Sequence, residues 1–214
     1  MDVMELLYKT KLIAIVRNLK SENVLPFANA LYNGGIRLIE VTFNQLKPET
    51  ESETLSAIQQ ISERLDGCVA AGAGTVMTVR QVELAFKAGA KYIVSPNTDK
   101  AVIQRARELG MCAFPGAMTP TEIAAAHEDG ASAVKVFPAG TLGAGYIKAV
   151  KAPLNHINLL AVGGVNENNI ADFIAAGAIG AGVGGSLTKK ELIENKEFDR
   201  ITALAEEYMR RLRG

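Results

Sequence analysis

A short unit recurs along this chain and constrains its fold more than any other feature. A stretch with helical spacing ends in glycine, and a β-rich apolar run follows at once. The unit is visible at Tyr32-Asn33-Gly34-Gly35 before residues 37–41, at Lys87-Ala88-Gly89-Ala90 before 91–95, and at Glu108-Leu109-Gly110 before 111–114. It returns at Asp129-Gly130 before 133–137 and at Ala176-Gly177 before 179–183. Glycine just past a helix end supplies a left-handed conformation that other residues resist. The helix starts carry matching signals. Thr119-Pro120-Thr121-Glu122 combines a capping hydroxyl, proline at the first helical position and a glutamate three residues after the cap, the pattern of a capping box. Thr78 with Gln81 repeats the box in weaker form, and Asn166 is placed to cap the helix that runs to Ala176.

The pattern predicts eight strands, at residues 12–17, 37–41, 68–72, 91–95, 111–114, 133–137, 157–162 and 179–183. Most are continuous apolar runs, as expected of parallel strands buried on both faces. Helical segments separate all eight. Residues 198–213 read as an amphipathic closing helix with Ile201, Leu204, Ala205 and Met209 near one face. Eight βα units in 214 residues predict an α/β protein built as a single (β/α)8 barrel domain spanning 1–214, near the short end of the roughly 200–400 residues that fold uses. A doubly wound open sheet is the rival reading.

Lys plus Arg and Asp plus Glu both number 23, so the basic excess of a nucleic-acid binder is missing and no such partner is expected. No apolar run approaches the roughly 18 residues of a membrane span. Residues 1–9 include Asp2 and Glu5 and lack a long apolar core, unlike a secretory signal. Cys68 and Cys112 lie inside apolar segments and read as small buried hydrophobes. Together these features lead us to expect a cytoplasmic protein.

Active sites of (β/α)8 barrels lie at the carboxyl ends of the strands, which narrows the search. Lys135 stands inside the apolar run Ala133-Val134-Lys135-Val136-Phe137. Burial disfavours an ammonium ion and lowers its pKa, and a neutral amine attacks a ketone. The alternative is a lysine reaching solvent or an ion pair from a strand end. Glu40, in Leu38-Ile39-Glu40-Val41-Thr42, is a candidate general acid/base or, alternatively, a structural ion-pair partner. Predicted strands two and six are opposite staves of equal parity, so both side chains can enter one pocket. Gly163-Gly164 follows the seventh strand, and Gly184-Gly185-Ser186 the eighth. Loops at those two places form the recurrent phosphate site of such barrels, where glycines let backbone N–H groups approach an anion. Arg17, ending the first strand, is a cation placed for a carboxylate, and Pro96 and Phe137 are placed to shape the pocket wall. His127 and His156 fall away from this region. With no Cys/His cluster, no metal site is expected.

Taken together, these residues resemble the class I 2-keto-3-deoxy-6-phosphogluconate aldolase family. The resemblance runs through Lys11-Leu12-Ile13-Ala14-Ile15-Val16-Arg17, Glu40-Val41-Thr42, Gly72-Ala73-Gly74-Thr75-Val76, Ser95-Pro96, Phe114-Pro115-Gly116, Lys135-Val136-Phe137-Pro138-Ala139, Gly163-Gly164-Val165 and Gly184-Gly185-Ser186. It implies that Lys135 is the Schiff-base lysine and Glu40 the acid/base. It implies that Arg17 and Thr75 contact the keto-acid end, that Pro96 and Phe137 line the pocket, and that Gly163, Gly164, Gly184, Gly185 and Ser186 hold the phosphate. Where gluconate-type members carry an arginine, four residues after the glutamate, this chain has Asn44, closer to galactonate-type members. The family resemblance further implies a phosphorylated keto acid as substrate, no cofactor, and a homotrimer. The residue pattern by itself leaves open a phosphosugar isomerase using Glu40 without covalent chemistry, and a non-catalytic phosphosugar-binding barrel.

Overall fold

A computed structural model describes residues 2–213. Nine parallel strands form one sheet: β1 Leu12–Val16, β2 Leu38–Thr42, β3 Ala70–Gly74, β4 Tyr92–Val94, β5 Cys112–Phe114, β6 Gly116–Ala117, β7 Val134–Val136, β8 Leu159–Val162 and β9 Gly180–Val183. Their order is β5-β4-β3-β2-β1-β9-β8-β7-β6. The ends of this ladder, β5 and β6, are separated only by Pro115, so they are two halves of one stave. β5 pairs with β4 and β6 with β7, and the carbonyl of Pro115 accepts from the Lys135 amide at 2.8 Å. The sheet therefore closes as an eight-stave barrel, and the open-sheet alternative is set aside. Gly116 makes the join possible: a Cβ there would lie 2.3 Å from the Pro96 carbonyl oxygen.

The recurring glycines act as their pattern predicts. Gly35, Gly89, Gly110, Gly130 and Gly177 all have positive φ, between 73° and 108°. In each case the glycine amide bonds the carbonyl three residues back and the next amide the carbonyl five back, as in Gly89 to Phe86 at 2.9 Å and Ala90 to Ala85 at 3.0 Å. This is the Schellman termination, which turns the chain from each helix directly into the next strand. Thr119 and Glu122 form the full capping box. Around Thr78 only half forms, because the Gln81 side chain accepts from the Met77 amide instead.

Some boundaries differ from the sequence expectation. The third strand runs 70–74, not 68–72, because the amides of Cys68 and Val69 still bond the Leu65 carbonyl at the preceding helix end. Gly72 and Gly74 are therefore strand residues. Asn169, not Asn166, stands at the cap position of the helix Ile170–Ala175, though its side chain bonds the preceding loop and not the helix. The Asn166 side chain accepts from the Asn168 amide, within the loop. Both cysteines are only partly buried. An additional helix, Val3–Thr10, is capped by Asp2. Its Leu7 reaches the lumen near Gly180 and so seals the amino-terminal mouth of the barrel.

Two apolar layers result. One lies inside the barrel and includes Ile13, Ile15, Leu38, Tyr92, Phe114, Leu160 and Val162. The other packs the outer face of the sheet against the helices, with Ala14, Ile39, Val41, Val134, Ala161 and Val183 from the strands. The alternation along each strand separates the two layers. No helix among the described residues is long and apolar enough to cross a membrane.

Candidate active site

Parity carries the polar residues into the lumen. In β2 the inward set is Leu38, Glu40 and Thr42. In β7 the inward position is Lys135, flanked outward by Val134 and Val136. Glu40 is 3% exposed and Lys135 8%, so neither charge is left to water. Space for the carboxylate comes from β3, whose inward residues beyond Ala70 are glycines. A Cβ on Gly74 would lie 1.9 Å from Glu40 Oε1, and one on Gly72 would lie 2.3 Å from the Tyr92 ring. Tyr92 thereby fits into the lumen beside Phe114, with ring centroids 5.5 Å apart.

Burial works against both charges, and proximity works for them. Desolvation raises the Glu40 carboxyl above its usual range, opposed by Lys135 and then by Arg17. Desolvation also pushes the Lys135 ammonium down. Glu40 resists that shift, and Arg17 adds to it. The Lys135 Nζ sits 4.7 Å from the centroid of the Phe137 ring, a contact that favours the charged form. A buried amine displaced toward neutrality beside a carboxyl displaced toward protonation suits a nucleophile paired with a general acid/base.

Both side chains open into a cavity of about 410 Å³. Of the residues singled out from sequence, its wall collects Arg17, Glu40, Thr75, Pro96, Lys135, Phe137, Gly163, Gly164, Gly184, Gly185 and Ser186. Asn44 is not among them. It lies in an adjoining depression that shares Arg17 and Thr75, and its side chain accepts from the Leu46 amide at 3.1 Å. His127 and His156 meet edge to face outside the cavity, with ring centroids 5.3 Å apart. No group of three or more His, Cys, Asp or Glu among the described residues is arranged to hold a metal ion.

On the β8–β9 side the wall is backbone. Gly163 and Gly164 have φ of 87° and 76°, and the absent side chain of Gly163 leaves room for the Phe137 ring. The amides of Gly164, Val165, Gly185 and Ser186 have no acceptor among the described residues. Unpaired amides from two loops on one cavity wall are the kind of donor an anion can use. Gly184 and Gly185 are not required by the fold alone. Neither has positive φ, and a Cβ on Gly185 would meet nothing within 4 Å.

Sequence reasoning missed the support behind Thr75. This residue has φ 56°, a sparsely populated conformation for a β-branched side chain. Gln45 Nε2 holds its carbonyl at 2.8 Å, and the nearly buried Gln81 bonds Gln45 in turn at 3.4 Å. Asn166, read only as a helix cap, also lines the cavity. Such side-chain-to-loop bonds span 30 or more residues and leave no periodic trace.

Known proteins share this arrangement. The family model for KDPG and KHG aldolases matches residues 3–204. A probable 2-dehydro-3-deoxy-6-phosphogalactonate aldolase of Rhizobium meliloti (strain 1021) is 43% identical over 179 residues, 83% of this chain and 82% of that protein. A 2-dehydro-3-deoxy-phosphogluconate aldolase of Treponema pallidum (strain Nichols) is 35% identical over 96% of this chain and 95% of its own length. A solved structure described as native KDPGal superposes with a TM-score of 0.85 at 35% identity, over 94% of both chains. With its barrel and lysine-bearing cavity, this chain is an aldolase and belongs to the KDPG and KHG aldolase family.

Proposed function

We propose that the chain cleaves a phosphorylated 2-keto-3-deoxy sugar acid of the gluconate or galactonate type to pyruvate and glyceraldehyde 3-phosphate, using Lys135 as Schiff-base nucleophile and Glu40 as acid/base. One observation carries this reading: a single cavity holds a buried amine and a buried carboxyl from opposite staves, together with unpaired amides on the β8–β9 side. The Lys135 amine adds to the C2 ketone and water leaves, giving an iminium. Glu40 takes the C4 hydroxyl proton, and the C4 oxygen becomes the aldehyde. The C3–C4 bonding pair passes into an enamine, which discharges the iminium. Protonation at C3 and hydrolysis return the lysine and release pyruvate. Arg17 and Thr75 are assigned to the keto-acid end. Gly163, Gly164, Gly184, Gly185 and Ser186 are assigned to the phosphate, and Pro96 and Phe137 to the wall between them.

The 43% identical relative is named for the phosphogalactonate substrate, and Asn44 stands where gluconate-type members carry arginine. Both favour the galactonate-type acid. The shorter 4-hydroxy-2-oxoglutarate, cleaved to pyruvate and glyoxylate, meets the same Lys135, Arg17 and Thr75 but leaves the amide wall empty, so it is the weaker substrate. The family resemblance also supports a cytoplasmic homotrimer in which each barrel is one domain, a state that light scattering in solution measures directly. The decisive test of the chemistry is incubation with pyruvate and borohydride, followed by intact mass and peptide mapping. One reduced pyruvate adduct at Lys135 is expected. An adduct at another lysine, or none, overturns the assignment.

A further inference from the structure

Ser186, on the cavity wall, is tied to a residue far away in sequence. The Tyr208 hydroxyl lies 2.9 Å from Ser186 Oγ and 2.9 Å from Glu167 Oε2. Tyr208 stands on the closing helix with its side chain fully buried. Glu167 follows β8 in the loop that carries Gly163 and Gly164. The three groups link the closing helix to both loops of the amide wall.

Counting protons gives the arrangement a direction. Hydrogen bonds from its own backbone amide and from Tyr208 hold the Glu167 carboxyl below the usual carboxylate range. At neutral pH it is therefore a carboxylate, which only accepts. The single Tyr208 proton goes to Glu167, so Tyr208 Oη presents lone pairs to Ser186. The single Ser186 proton then has two acceptors inside the protein: Tyr208 Oη at 2.9 Å and the Val165 carbonyl at 3.3 Å. Tyr208 Oη is the nearer of the two and is buried behind the wall, so the proton turns toward the closing helix and away from the cavity. A serine so ordered offers lone pairs to an incoming anion, and lone pairs repel a phosphate oxygen. To help bind phosphate, Ser186 must first give up its inward bond.

We propose that Tyr208, oriented by Glu167, is a positioning residue that holds Ser186 as an acceptor in the empty site and so weakens the grip of the amide wall on phosphate. This rests on the phosphate assignment made above. It makes Tyr208 a specificity determinant: it selects against binding by the phosphate end alone and leaves the keto-acid end untouched.

The test is a double-mutant cycle read by binding of inorganic phosphate, which does not depend on aldol chemistry. Parent, Tyr208→Phe, Ser186→Ala and the double variant are titrated with phosphate by calorimetry, and thermal melts confirm folding. The phenylalanine ring fills the same buried space. Removing the inward acceptor is expected to tighten phosphate binding about three- to tenfold, the scale of one hydrogen bond. In the Ser186→Ala background the same substitution is expected to have no effect. KM for the phosphorylated substrate should fall by a similar factor, with kcat and the KM for 4-hydroxy-2-oxoglutarate unchanged. Weaker phosphate binding in Tyr208→Phe overturns the proposal, since Tyr208 would then be presenting the serine to the ligand. An equal effect with and without Ser186 overturns it as well, as does a parent that binds no phosphate at millimolar concentration. Failure of pyruvate trapping at Lys135 counts against the aldolase chemistry alone and leaves the phosphate cycle readable.

Discussion

At Lys135 the barrel sets two charges against their own burial. The amine is pushed down by desolvation and held up by Glu40, and the carboxyl is pushed up by desolvation and held down by Lys135. In the proposed reaction the neutral amine is the nucleophile. Trapping by pyruvate and borohydride should therefore rise with pH, with a midpoint below about 10.4, the ordinary lysine value. Glu40→Gln removes the group that favours the ammonium form, so the trapping midpoint should move lower still. Turnover should fall about 10²–10⁴-fold, the usual contribution of a general acid/base. The two readouts separate two roles: a trapping midpoint that stays put would deny electrostatic coupling, and near-normal turnover would place the base elsewhere. Both residues were legible in sequence because a charge inside an apolar strand is rare without a partner or a task. Thr75 was legible only through family resemblance. Its left-handed backbone depends on Gln45 and Gln81, two residues with no pattern of their own.

Among the structural elements, glycine has two distinct uses, and the sequence showed one far more clearly than the other. Gly35, Gly89, Gly110, Gly130 and Gly177 end helices with positive φ, and their regular spacing before apolar runs made the barrel readable. Of the strand glycines Gly72 and Gly74, the second was left outside the expected strand, because nothing local marks the start of β3. Their role, making room for Tyr92 and Glu40, becomes visible only when neighbouring staves are set side by side. Gly185 belongs to neither group. A Cβ there meets no protein atom within 4 Å, and its φ is not positive, so the fold should tolerate Gly185→Val. The cavity should not, because the branched side chain would stand among the unpaired amides of the two loops. KM for the phosphorylated acid should rise about tenfold or more, the scale of one or two charge-assisted hydrogen bonds, while KM for 4-hydroxy-2-oxoglutarate stays near the parent value. Equal changes for both substrates in a variant with a normal melt would move the phosphate off this wall.

For the whole molecule, the closing helix Phe198–Arg213 completes the outer ring. It packs against Ser21–Asn33 on one side and Ile170–Ala175 on the other, joining the first outer helix to the one that precedes β9. Its apolar face was plain from the spacing of Ile201, Ala205 and Met209, all buried. What spacing could not show is how closely it sits. A Cβ on Gly34 would lie 2.3 Å from the Ala205 Cβ and 2.8 Å from the Thr202 carbonyl oxygen. Gly34 itself has φ −74°, so an alanine there suffers no backbone strain, and the whole effect of Gly34→Ala is the forced separation of two helices. One of the atoms it meets is backbone, which cannot rotate aside, and the Thr202 hydroxyl bond to the Ala30 carbonyl at 3.0 Å must stretch as the helix lifts. Overpacking of this kind typically costs about 1–3 kcal/mol, and for a chain of this size each kcal/mol lowers the melting temperature by about 2–4 °C. Lys135 lies on a stave across the barrel from this contact, so pyruvate trapping per folded molecule should match the parent. Thermal melts alongside borohydride trapping decide the matter. An unchanged melt would mean that the helix rides over Gly34 without resistance, and lost trapping in a folded variant would mean that the closing helix shapes the lysine site as well as the ring.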